Sequence, residues 1–154
     1  MSGYQIVDEP QPSRWNHLVV QPLWPLFGLM FAGSWLSFIW FVVNGQAMGC
    51  PYRKKTLVVA LIGFAGRFVL VGSIFVFAAM FEWDGFHIRY AFLAATVWNL
   101  GIGYYLYVLQ SRSFELYRYF GGLVRNGIWV VFLGYYLGSR LLSGLPVFLQ
   151  VVLH

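Results

Sequence analysis

The stretch TLVVALIGFAGRFVLVGSIFVFAAMF (56–81) decides the fold. It carries a single charge, Arg67, in a run longer than the about 20 apolar residues that a helix needs to span a ~30 Å hydrocarbon core. At about 1.5 Å per residue such a helix exceeds the core, so it is expected to tilt or protrude. Three further windows have the same character. Residues 22–43 are free of charge, with Pro22 and Pro25 in a first helical turn, where a missing N–H costs little. Residues 90–109 have no charge, and residues 127–151 are interrupted by Arg140 and weakened by Ser143, Gly144 and Pro146. The expected fold is an all-α membrane protein, a four-transmembrane-helix bundle formed by residues 22–154 as one domain. Residues 1–21 are expected to form a tail before it, with no cleavable leader, because they carry Asp8, Glu9 and Arg14 but no basic segment ahead of an apolar core.

Composition points the same way. Charged residues make up 10% of the chain and hydrophobic ones 60%, against roughly 25% and 45–50% in soluble domains. So few charges cannot coat a water-soluble domain of 154 residues. Seven Trp and ten Tyr are residue types that collect at membrane–water interfaces. The net charge of +5 does not indicate nucleic acid, because the cations sit between apolar runs and form no basic stripe or reader motif. A lone cysteine, Cys50, rules out an intrachain disulfide and reads as a small residue in a turn.

The cations set an orientation. Arg53, Lys54 and Lys55 follow the first window, and Arg112, Arg118 and Arg125 follow the third, whereas Arg14 and Arg89 fall on the other side. Cytoplasmic loops are enriched in Lys and Arg, so these two basic loops are expected in the cytoplasm and both termini away from it, in a bacterial inner (plasma) membrane. Between the third and fourth windows, residues 110–126 place Phe114, Tyr117, Phe120 and Val124 on one side and Arg112, Glu115 and Arg118 on another. That pattern reads as a cytoplasmic interfacial helix in preference to an extension of the third helix.

Candidate functional residues are the polar groups stranded in apolar windows. Arg67 and Arg140 fall near mid-window, where an arginine costs ~2.5–3.5 kcal/mol to insert and usually faces the bundle interior or a wet cavity. Ala60, Gly63 and Arg67 follow i, i+3, i+7 with Gly66 alongside, a small-residue face suited to helix packing. Asn99 stands between Ala95 and Gly103 on a similar face, and Gly134 and Gly138 form another, from which Arg140 points away. A short likeness links residues 65–72 with 138–144, each centred on an arginine. Arg67, Arg140 and Asn99 are therefore the candidates for holding an anion, a lipid or a partner, since arginine recognises phosphate and carboxylate bidentately.

Catalytic and cofactor signatures are absent. His17, His87 and His154 have no metal-ligand spacing, no histidine lies in a window, and no nucleophile elbow or Walker loop occurs. The expected role is that of a non-enzymatic accessory or scaffold subunit, without cofactor or metal. Its partners would be membrane lipids and a larger membrane protein or further copies of itself. The alternative is a small oligomeric transporter or flippase that binds an anionic substrate through its arginines.

Overall fold

The computed structural model describes residues 15–153. Residues 1–14, with Asp8, Glu9 and Arg14 of the expected tail, and His154 lie outside the described residues. After a short 3-10 turn at Asn16–Leu18, six helices follow: α1 Leu23–Phe31, α2 Ser34–Ala47, α3 Arg53–Met80, α4 Gly85–Tyr119, α5 Ile128–Leu142 and α6 Val147–Leu153. No strand occurs among the described residues; the only bridge-type pairing is Val20 with Arg125.

Helices α3 and α4 are long and apolar enough to cross a membrane. With 28 and 35 residues they reach about 42 Å and 52 Å. In the most apolar window of each, only 28% and 22% of residues are buried within the chain. The buried core helix of a soluble protein would show the opposite. The two form an antiparallel hairpin. Gly63 lies under Ile102 and Phe38, Gly66 lies under the Trp98 indole, and that indole donates to Gly63 O at 3.2 Å. The small residues thus let bulky partners approach the α3 backbone closely.

The remaining apolar windows do not form single crossing helices. The expected span 22–43 breaks at Ala32–Gly33, and α1 and α2 fold back on each other. Gly28 faces Ser37 and Trp40, while Val20 N donates to Asn44 Oδ1 at 2.9 Å, so both ends of the pair lie together at the basic end. Gly33 makes this turn with φ 96° and ψ 171°, a backbone region open essentially to glycine alone. The nine and fourteen residues of α1 and α2 give only about 14 Å and 21 Å. As a result, the first described residues lie beside the basic loops: Arg125 N donates to Val19 O at 2.8 Å. The segment leading into the first window was expected opposite the basic loops, and Val19 and Val20 instead lie beside them.

Residues 110–126 likewise depart from the expected interfacial helix. α4 continues without a break to Tyr119, burying Phe114 and Tyr117 against Val19, Ala47 and Met48. The chain itself covers Phe114 and Tyr117, whereas Phe120 and Val124 of the expected apolar side are exposed. The window 127–151 also divides. α5 stops at Leu142, a turn at 143–146 follows, and α6 returns towards the middle of α3, where Phe148 meets Phe68 and Phe75 edge-on at 6.1 and 5.6 Å.

Gly33→Ala is expected to cost about 1–3 kcal/mol, because any Cβ strains that backbone region. Gly72→Ala, where an added Cβ meets nothing within 4 Å, is expected to be neutral or slightly stabilising. Thermal unfolding of the two variants in detergent checks the contrast.

Candidate functional site

The sequence places Arg67 halfway along α3 on its small-residue face, and the fold converges there. The turn of the α1–α2 pair and the end of α6 both arrive at its level. Arg67 is 9% exposed and donates from Nη2 to Val151 O at 2.6 Å. Beside it, the Ser34 hydroxyl lies 2.9 Å from Val152 O and 3.0 Å from Leu153 O, one proton shared between two acceptors. A helix leaves its last four carbonyls without internal partners, and its C-terminal end carries partial negative charge. Here α6 presents that end to a guanidinium and to the first residue of α2, whose own N-terminal end carries partial positive charge. The acceptor for Arg67 is therefore a backbone carbonyl of a distant helix.

Not all of the polar capacity is used. Arg67 Nε and Asn99 Oδ1 are buried with no hydrogen-bond partner among the described residues. Asn99 is 4% exposed, on the face of α4 that also carries Ala95 and Gly103. Both side chains line a cavity of about 490 Å³ whose other walls include Leu29, Met30, Phe92 and Thr96. Thr96 donates its hydroxyl to Phe92 O at 3.0 Å. The cavity exists because α1 ends at Phe31 and leaves the upper part of α4 uncovered. Arg67 and Asn99 are thus brought to one place.

Arg140 is not brought there. It sits on the exposed side of α5, its guanidinium 5.4 Å from the Tyr136 ring, while Gly134 and Gly138 face inward. Gly134 packs under Leu36 and Ala32, and Gly138 lies beside Ala32 O and Trp35 Nε1. Gly103 packs under Leu26 and Leu29. The five glycines of the expected packing faces therefore all contact neighbouring helices of the same chain. The likeness between the two arginine segments does not extend to their surroundings, since one guanidinium is buried and the other exposed. The cations Arg53, Lys54, Lys55, Arg112, Arg118 and Arg125 are all exposed at the end where α3 begins and α4 finishes.

A second polar cluster had no place among the candidates. Asn44 Nδ2 donates to Gln110 Oε1 at 3.2 Å, Gln110 Nε2 donates to Phe41 O at 2.6 Å, and Cys50 Sγ lies 3.0 Å from Ser113 Oγ. These fully buried groups clasp α2 to α4 beneath the basic loops. The available signal was two amide side chains in otherwise apolar helical stretches, which buried packing tolerates only when they are paired. Among the described residues no group of three His, Cys, Asp or Glu is placed to hold a metal ion.

Arg67→Met is expected to release α6, since hydrogen bonds to charged groups contribute about 1.5–3 kcal/mol. Amide exchange across residues 147–153 should then accelerate roughly tenfold or more, with the α3–α4 pairing unchanged; hydrogen-exchange mass spectrometry reads both. The chain matches no protein-family model, no curated protein and no solved structure.

Proposed function

We propose that this chain is an integral membrane protein that serves as a non-enzymatic subunit of a larger assembly. In this reading α3 and α4 cross the bilayer and the α1–α2 pair dips in from the basic, cytoplasmic side to about half depth. The buried turn at Ala32, Gly33 and Ser34 supports it, because irregular backbone at membrane depth is tolerated where protein covers it. Exposed Leu61, Ile62, Val69, Val76, Leu93 and Val97 on α3 and α4 supply a lipid-facing surface.

The observation that carries the subunit role is Arg140. It projects from a face of α5 that also exposes Trp129, Phe132, Leu133 and Tyr136. A charge there is costly unless a partner or water receives it. Among the described residues no acid lies at that depth to serve from a second copy: no Asp or Glu follows Glu115, and Glu82 and Asp84 lie where α3 turns into α4. The complementary group is a carboxylate in a membrane segment of a different protein. The transporter reading draws on the Arg67–Asn99 cavity. It is the weaker of the two, because Arg140, the second arginine it draws on, is exposed on α5 and is not brought to that cavity.

Capture from mild detergent should retain a heteromeric partner with the parent chain, lose most of it with Arg140→Ala, and keep it with Arg140→Lys. An unchanged partner with Arg140→Ala would remove the proposal. Orientation has its own test. Cysteines introduced by Asn16→Cys and Lys54→Cys should label from the same, cytoplasmic side of intact membranes. Labelling from opposite faces would restore a crossing first segment.

A further inference from the structure

The cavity beside Arg67 has the layout of a ligand site whose polar groups are set and whose mouth is lateral. Its two buried polar side chains each keep one atom without a partner, Nε of Arg67 and Oδ1 of Asn99. Buried polar groups are normally satisfied, so two side chains that line one cavity and each keep an unpartnered buried atom mark a place whose polar capacity is not spent. Arg67 fixes the sign. Its Nη2 donates to Val151 O, which orients the guanidinium plane, while Nε keeps its proton without an acceptor. The Asn99 amide has no bond to its oxygen, so turning it by 180° to offer its NH₂ to an anion sacrifices none on that side. Together they suit an oxyanion, the group that arginine recognises best.

The remaining walls define the rest of the ligand. Leu29, Phe92 and Val151 are apolar, and Met30, Thr96 and Leu100 at the rim are exposed. The opening therefore lies on the flank of the bundle, between α1 and α4, and not at the basic end where a soluble anion would be gathered. At about 490 Å³ the space is within the roughly 300–1,000 Å³ usual for small-ligand sites. We infer that this cavity binds the oxyanion head of a single-chain amphiphile, such as a long-chain carboxylate, entering from the side with its chain along Met30 and Leu100. The inference rests on the membrane placement proposed above but not on the Arg140 partner.

Equilibrium binding of radiolabelled palmitate to the purified full chain in a non-ionic detergent tests it. Saturable binding of one palmitate per chain is expected. Asn99→Leu should weaken it roughly tenfold, about the value of one hydrogen bond to a charged group. Met30→Trp, which fills the mouth and leaves both polar groups in place, should abolish it. Each variant should show the parent amide exchange in α6, which separates loss of the site from loss of the fold. Hexadecyltrimethylammonium, with the same chain and the opposite charge, should not compete. Inorganic phosphate should compete only weakly. Equal competition by the cationic amphiphile, binding unchanged in Asn99→Leu, or phosphate binding without palmitate binding would each overturn the proposal. A partner lost through Arg140→Ala while palmitate binding persists would show that the two readings stand separately.

Discussion

A single guanidinium in the middle of a long apolar helix has to be answered by something, and in this chain the answer is the carbonyl end of another helix. Arg67 donates to Val151 O, and Ser34 meets the next two carbonyls of α6. Three elements far apart in sequence are tied at one point: the centre of α3, the start of α2 and the end of α6. Around this knot lies an apolar cluster of Val71, Ile74, Ala95 and Val152. In a low-dielectric setting the polar knot gains strength, and by the same token each of its members is costly to leave unpaired. The short helices have little stability of their own, since helices below about 12–15 residues are marginal without tertiary support. α1 and α6 hold their shape because of what they dock against.

Steric fit does the rest. The glycines at 63, 66 and 103 sit where Ile102, Trp98 and Leu29 press on the backbone, so the three helices meet at distances a larger side chain would prevent. At the basic end, the Asn44–Gln110 pair and the Phe41 carbonyl do in hydrogen bonds what the glycines do in space. The α1–α2 pair is consequently anchored at both of its extremities, by amides at one end and by the α6 carbonyls at the other.

The long pair α3–α4 was legible in the sequence, because runs of apolar residues with one charge or none leave little choice of structure. The small-residue face carrying Arg67 was also legible from its i, i+3, i+7 spacing. The fold-back at Gly33 was not. A glycine in an apolar window reads as an ordinary feature of a membrane helix, and nothing local says that residues 20 and 44 will meet. The break in the last window announced itself through Ser143, Gly144 and Pro146, yet the return of α6 to Arg67 did not. Its contact is made by a main-chain carbonyl, which has no side-chain signature. Of the amphipathic stretch read at 110–126, Phe114 and Tyr117 are buried, while Phe120 and Val124 are exposed. What covers Phe114 and Tyr117 is Val19, Ala47 and Met48, and a pattern along one segment cannot distinguish protein from lipid as the cover.

The order of synthesis gives the α6 contact a temporal meaning. Arg67 leaves the ribosome more than eighty residues before the carbonyl that receives it, Val151. During that interval the guanidinium must find its hydrogen-bond acceptors elsewhere, and the early α1–α2 pair has no completed seat. These three elements can close on one another only when α6 arrives, which makes it the bolt of the assembly.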